Sequence, residues 1–168
     1  TSTAFGFNTM FQATASRSGL LFAAVSSVHD MYQSTHLTDE TIDTPPASHP
    51  IVGQVLVSSD KGHHWTTLHD LGRPVVWVSI DSTDSSQMYV SVANSHIGGV
   101  YRCGTTAGSA CQQLPSPPRT QGHAWVNHVL PDGSVLVSYS GRRTGIRNGN
   151  GSFTNSSGVF LLPKGGRR

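Results

Sequence analysis

Short runs of apolar and β-branched residues recur along the chain, separated by clusters of glycine, proline, serine and asparagine. Runs of this kind, bounded by turn residues, predict β-strands joined by hairpins. The predicted strands cover Thr9–Ala15, Leu20–Ser26, Gly53–Val57, Thr66–Leu68, Pro74–Ile80, Gln87–Ala93, Gly99–Arg102, Gln112–Leu114, Ala124–Leu130, Ser134–Ser140 and Val159–Leu162. No window keeps a helical period of apolar positions over several turns, so hardly any helix is expected. The pattern therefore predicts an all-β fold.

The spacing of the predicted strands indicates a higher level of organisation. They fall into four-stranded antiparallel units with a period of about fifty residues, which is typical of the blades of a β-propeller. Within a single segment spanning residues 1–168, a first blade covers about 9–70, a second about 74–115 and a partial third about 124–163. Propellers usually close with about four to eight blades. We therefore expect further polypeptide, from the same protein or from partner chains, to complete the ring. A β-sandwich is the alternative fold.

The segment between the third and fourth predicted strands carries a motif. It has the pattern Ser-x-Asp-x-Gly-x-x-Trp, with Ser58, Asp60, Gly62 and Trp65 at the fixed positions. The carboxylate can accept backbone N–H groups across a hairpin turn, the glycine can take a positive φ, and the tryptophan supplies a large apolar anchor. This motif resembles the Asp-box, or BNR, repeat of sialidases, xyloglucanase-type glycosidases and sortilin-like receptors. The resemblance implies a propeller in which the Asp box is a folding device placed away from the ligand site.

Two cysteines flank the loop of a later predicted hairpin. Cys103 and Cys111 would face each other across it, so a disulfide is expected. A disulfide indicates an exported protein, extracellular or periplasmic. The alternatives are two free thiols in a reducing compartment, or half of a metal site, which would need histidine partners.

Composition narrows the classes of partner. Charged residues make up 12% of the chain and the net charge is +2, too little for the concentrated basic face that nucleic-acid binding usually needs. The longest apolar run, Leu20–Val25, is much shorter than a membrane span, so no transmembrane segment is expected. Motifs for phosphate loops, dinucleotide binding, nucleophile elbows and zinc proteases are absent from the sequence, and no cofactor is predicted.

The resemblance to propellers also predicts where a ligand would bind. Related propellers usually bind ligands on the face formed by the loops between blades and between the second and third strands of each blade. The candidate ligand-binding residues on that face are His29, Asp30, Tyr32, His36, Arg73, His96, Arg119, His123, Arg142 and Arg143. A glycan is the ligand class that the resemblance implies.

Catalysis and metal binding have few candidates. Asp30 and Asp39 could form the acid/base pair of a glycoside hydrolase if their carboxyl groups stood about 5–10 Å apart across a sugar. The simpler interpretation is that they are solvated loop residues that cap turns. His29, His36 and Asp39 are metal ligands by type, but their spacing in a loop aligns no common face, so no metal site is predicted. The Arg-Ile-Pro signature of sialidases is absent.

Three functions follow as expectations. The favoured one is a non-catalytic binding or structural module of an exported Asp-box propeller. The alternative is a segment of a xyloglucanase-like glycoside hydrolase whose acid and base lie partly outside this chain. The third is a subunit of a larger assembly. Fold does not fix function, so the sequence leaves these open.

Overall fold

Antiparallel strands dominate the computed structural model, which describes residues 8–27, 53–93, 98–117, 123–140, 143–144, 152–153 and 157–164. The first sheet pairs β1 (Asn8–Ala15), β2 (Leu21–Ser27), β3 (Gly53–Ser58) and β4 (Thr66–Asp70) in chain order. The second sheet pairs β5 (Val75–Ile80), β6 (Gln87–Val92), β7 (Gly99–Gly104) and β8 (Cys111–Gln113) in the same way. Both are meanders of adjacent antiparallel strands.

The remaining strands form a smaller sheet and a short ribbon. They are β9 (His123–Val129), β10 (Val135–Ser140), β11 (Arg143–Thr144), β12 (Ser152–Phe153) and β13 (Gly158–Leu162). The third sheet has the order β13-β10-β9, and β11 pairs with β12. The residues described contain no helix, so the all-β prediction is confirmed. The ribbon lies within the segment 141–157, for which no strand was predicted.

The three sheets pack on one another in chain order. Strand β5 contacts β1 and β2 of the first sheet, and β9 contacts β5 and β6 of the second. The described strands do not close into a barrel or a ring of sheets. No described helix has the length and apolar character needed to cross a membrane.

Alternating side chains explain why the second sheet lies in the middle. Met88 and Val90 of β6 belong to a buried cluster that includes Phe22 and Val55 of the first sheet. Tyr89, between them in sequence, belongs to a second cluster with residues of the third sheet. Since successive strand residues point to opposite faces, β6 is buried on both sides, and every residue from Met88 to Val92 is buried.

Side chains of one sheet also form hydrogen bonds with the backbone of the first strand of the next sheet. The backbone N–H of Val78 in β5 donates to Oε1 of Gln12 in β1, at 3.0 Å. Oγ of Ser26 donates to the carbonyl oxygen of Val75 at 2.7 Å. Oγ of Ser79 donates to the carbonyl oxygen of Asn127 at 2.8 Å. These bonds satisfy edge groups that would otherwise need water, and they fix how the sheets align.

The turns and the strand ends define two opposite edges of this stack. The hairpin turns β1–β2, β3–β4, β5–β6, β7–β8 and β9–β10 lie at one edge, which we call the turn edge. The other ends of the strands form the loop edge, where β2 ends and β3 begins on either side of residues 28–52. The segment Ser58–Trp65 lies at the turn edge, and the residues predicted to bind a ligand follow or precede strand ends at the loop edge.

The third sheet carries exposed apolar side chains on the side that faces away from the second sheet. Phe160 pairs edge-to-face with Tyr139 and, with Leu162, packs on the cluster shared with the second sheet. Val159 and Leu161 alternate with them and are 70% and 57% exposed, and Val126 of β9 is 44% exposed. We call Val126, Val159 and Leu161 the outer face of the third sheet. Apolar residues on the face of a sheet are normally packed against another sheet or a helix.

Candidate functional site

The segment Ser58–Trp65, whose sequence resembles an Asp box, forms a closely bonded turn between β3 and β4. Oγ of Ser58 donates to Oδ1 of Asp60 at 2.8 Å and accepts the N–H of Gly62 at 2.9 Å. Oδ1 of Asp60 also accepts the N–H of His64 at 2.9 Å, and its Oδ2 lies 2.5 Å from Nδ1 of the same histidine. Gly62 has a φ of +86°, which a residue with a Cβ rarely adopts.

Trp65 connects this turn to the sheet. Its Nε1 donates to the carbonyl oxygen of Gly62 at 3.0 Å. The ring is half-buried and packs on the cluster of Ala23, Val25 and Leu56. Each fixed position of the motif therefore stabilises the hairpin itself. His64, which the motif does not specify, was missed as a partner of the carboxylate.

Hydrogen bonds lower the pKa of three turn carboxylates. The N–H of His64, followed by its side chain and the hydroxyl of Ser58, holds the pKa of Asp60 far below its usual range. The hydroxyl and N–H of Ser86 lower the pKa of Asp84. Ser134 acts in the same way on Asp132. The hydrogen bonds within these turns therefore stabilise the ionised form of each carboxylate.

We expect Asp60→Asn to remove part of the acid sensitivity of folding. The pKa of Asp60 is lower in the folded than in the unfolded chain, so its contribution is full above the unfolded value of 3.8 and is lost as pH falls below it. The wild-type melting temperature should thus fall more steeply below about pH 4 than that of the variant. Melting curves measured from pH 2 to pH 6, with Asp70→Asn as a charge-matched control, test this. Parallel curves for the wild type and Asp60→Asn would contradict it.

All five acidic residues in the described part of the chain serve turns. Besides the three above, Asp81 accepts the N–H groups of Thr83 and Asp84, and Asp70 accepts the N–H of Gly72. Of nine acidic residues in the sequence, the other four lie between residues 28 and 52. Acid–base catalysis by carboxylates of this chain would therefore depend on that segment, which contains the predicted pair Asp30 and Asp39.

Most of the predicted ligand-binding residues lie outside the described residues. These are His29, Asp30, Tyr32, His36, His96, Arg119 and Arg142, and the catalytic candidate Asp39 also lies outside them. Arg143 is the first residue of β11, where only the backbone is described. Their placement on one face stays a prediction.

Arg73 and His123 are the two candidates whose side chains can be placed. Arg73 is half-buried at the loop edge; its Nη1 donates to the carbonyl oxygen of Gly72 at 2.8 Å, and its buried Nε has no hydrogen-bond partner among the described residues. His123 was expected in a loop facing a ligand. It is instead the first residue of β9 and is only 5% exposed.

The physical reason for this difference is an additional strand contact. His123 forms a β-bridge with Ala93, which extends the packing of the second and third sheets to the loop edge. Its ring lies edge-on to Trp125, with centroids 6.5 Å apart. Burial lowers the pKa of His123, so the neutral ring is favoured. Such a histidine suits packing better than capture of an anionic ligand.

Two tryptophans lie close to the same edge. Trp77 of β5 and Trp125 of β9 are half-buried and pack against Val76 and Ala93. They complete a small apolar cluster between the first strands of the second and third sheets.

A polar groove separates the second and third sheets near the turn edge. Its cavity has a volume of about 200 Å³ and is lined by Tyr89, Arg102, Gln112, Gln113, Leu114, Pro115, Gly133, Val135, Leu162, Pro163 and Lys164. Burial, together with the negative charge of Asp81, raises the pKa of Tyr89, so its hydroxyl stays protonated. Nη2 of Arg102 donates to Oε1 of Gln112 at 3.2 Å. The groove offers donors to a small polar ligand and contains no acidic side chain.

The expected disulfide is present. Cys103 and Cys111 are direct partners across β7 and β8, rather than residues in the loop, and their sulfurs are bonded. A disulfide is compatible with an exported protein. His69 of β4 approaches the same place from the first sheet, and its Nε2 lies 2.8 Å from the carbonyl oxygen of Gly104. No sequence pattern pointed to this histidine, because the predicted strand ended before it.

Comparison with known proteins finds no match among family models, curated proteins or solved structures. The resemblance to Asp-box proteins therefore rests on the Ser58–Trp65 motif and on the four-stranded meanders.

Proposed function

We propose that this chain is a non-catalytic structural and binding module of an exported Asp-box propeller, and that its third sheet packs against a further sheet. The observation that carries this proposal is the uncovered apolar outer face formed by Val126, Val159 and Leu161. The two other interfaces of the stack bury equivalent alternating apolar positions. The first sheet packs on the second and the second packs on the third in the same way. A further sheet packed on the third would cover the outer face by repeating this arrangement.

The unpaired side of the third sheet also supports a further sheet as the partner. Strand β13 pairs with β10 on one side, and no described strand pairs with its other side. A propeller blade has a fourth strand at this position, so a missing strand and a neighbouring blade would together satisfy the free backbone groups and the apolar face. A second β-rich segment of the same assembly is therefore the proposed partner.

The turn chemistry supports a non-catalytic role. All five described carboxylates accept hydrogen bonds within turns, and the Asp box lies at the turn edge, away from the predicted ligand face. Groups that hold turns in place are poorly suited to exchange protons with a substrate. The glycoside hydrolase alternative would depend on Asp30 and Asp39.

The outer face can be tested by measuring the mass of the isolated chain in solution. We expect a concentration-dependent rise above 17.9 kDa, because the uncovered faces associate. The double variant Val159→Lys/Leu161→Lys should stay monomeric at the same concentrations while keeping its melting temperature, since both side chains are exposed.

A matched control places the same two charges elsewhere. Ala107 and Ala110 are exposed in the β7–β8 turn, so Ala107→Lys/Ala110→Lys should associate like the wild type. A compact wild-type monomer of 17.9 kDa at every concentration would overturn the proposed packing and favour a β-sandwich that needs no partner.

A further inference from the structure

We propose that reduction of the Cys103–Cys111 disulfide converts this region into a binding site for a soft divalent metal ion such as Zn²⁺, with His69 as the third protein ligand. The ligand atoms of these three residues all lie within 4.8 Å of one another. Cysteine and histidine are the side chains that Zn²⁺ prefers. Two cysteines alone would be half a site, and the fold supplies a histidine from the adjacent sheet.

The distances suit the metal once the sulfurs separate. With Zn–S bonds of about 2.3 Å and tetrahedral angles, two coordinating sulfurs stand about 3.8 Å apart. The two cysteines are direct cross-strand partners whose Cα atoms lie 4.1 Å apart, and the Cβ atoms of a disulfide are typically about 3.8 Å apart. Rotation of the cysteine side chains is thus enough to receive the metal, and the strands need not part.

The surroundings of His69 match those of a metal-binding histidine. One ring nitrogen, Nε2, faces the carbonyl oxygen of Gly104 at 2.8 Å. A carbonyl can only accept, so this nitrogen carries the proton and the other keeps its lone pair. Ligating histidines commonly donate their second N–H to a backbone carbonyl in this way, which fixes the ring and its tautomer.

Burial adds to the strength of the site and limits access to it. Cys103 and His69 are buried and Cys111 is half-buried. A metal would therefore reach the site past Cys111 and would lie in a medium of low dielectric, where its attraction to thiolates is strong. The described residues provide three ligands, and a water molecule suits the fourth position.

The disulfide is reduced first, and the metal then binds to the two thiols. A dithiol reductant delivers two electrons: the S–S bond of the protein breaks, each sulfur gains a proton, and the reductant closes to its own disulfide. Binding of Zn²⁺ then displaces one proton from each thiol. Under oxidising conditions the disulfide cross-links two strands of the second sheet. Under reducing conditions the bound metal cross-links the first and second sheets.

Cobalt provides a direct probe. The chain is reduced with a dithiol, freed of reductant under anaerobic conditions and titrated with Co²⁺, and Zn²⁺ is then added in competition. We expect thiolate-to-cobalt charge-transfer absorption that saturates at one ion per chain and is abolished by Zn²⁺. The oxidised chain should show no such absorption. Zn²⁺ should raise the melting temperature of the reduced chain only.

Variants separate this site from general metal binding. His69→Gln should weaken binding by at least about 10-fold, whereas His63→Gln, at an exposed position in the Asp-box turn, should leave the affinity unchanged. Cys111→Ser, which keeps His69, should also lose the charge-transfer band, so the test does not depend on one variant folding. Equal Co²⁺ binding by the oxidised chain, or unchanged affinity in either His69→Gln or Cys111→Ser, would overturn the proposal.

Discussion

Replacing Gly53 with alanine is expected to destabilise the chain by about 3 kcal/mol or more. A Cβ at this position would lie 1.4 Å from the carbonyl oxygen of Arg73. The obstacle is backbone, so no change of rotamer can relieve it. The N–H of Leu71 also donates to the carbonyl oxygen of Gly53 at 2.9 Å, which holds the two segments together. The variant must therefore separate the start of β3 from the connection to the second sheet.

Urea unfolding of the variant measures this loss, and Gly158→Ala is the matched control. At Gly158 the added Cβ would first meet the ring of Phe160 at 3.3 Å, and a side chain can move by that small amount. The control should lose less than about 1 kcal/mol. Equal midpoints for Gly53→Ala and Gly158→Ala would show that the close approach of Gly53 to Arg73 is not maintained in solution.

Local turn chemistry explains why the hairpins could be predicted from the sequence. In the β9–β10 turn, Asp132 accepts bonds from Ser134 only two residues away, and Gly133 has a φ of +80°. In the turn between β3 and β4, the bonds of Asp60 span at most four residues. Interactions this short are encoded by neighbouring residues, so the pattern of turn residues and apolar runs is enough to locate them.

Contacts between sheets could not be predicted in the same way. His69 bonds to Gly104, 35 residues away, and Gln12 bonds to Val78, 66 residues away. Neither pair has a local sequence signal, because each depends on how two meanders stack. The burial of His123 has the same origin, since its bridge to Ala93 joins two sheets. The position of His123 next to a predicted strand does not indicate whether a neighbouring sheet will bury its side chain.

The predicted ligand face depends on connections rather than strands. The loops that would carry His29, Tyr32, His96 and Arg119 lie outside the described residues, so the strand ends at the loop edge are all that bears on them. Strand direction brings these ends to one edge, but it does not fix where long polar loops place their side chains. The grouping of these residues around a glycan therefore stays a prediction.

Phe22→Ala should cost about 3–5 kcal/mol of unfolding free energy, which makes it the strongest expected effect of a core truncation here. Phe22 is 0% exposed and belongs to the same buried cluster as Val75, Val78 and Met88 of the second sheet. Removing its ring leaves a cavity at the interface between the first two sheets. Chemical unfolding followed by circular dichroism would measure the loss.

Phe11 supplies a control with the same chemistry in the neighbouring strand. It is 39% exposed, so Phe11→Ala should cost less than about 1.5 kcal/mol. Of these two phenylalanines, only Phe22 belongs to the buried cluster shared by the first and second sheets. Its truncation should therefore also lower the cooperativity with which the sheets unfold, seen as a smaller dependence of the unfolding free energy on urea concentration. Similar costs for the two variants would mean that the first sheet does not pack on the second through β2, and the stacked order of sheets would then have to be abandoned.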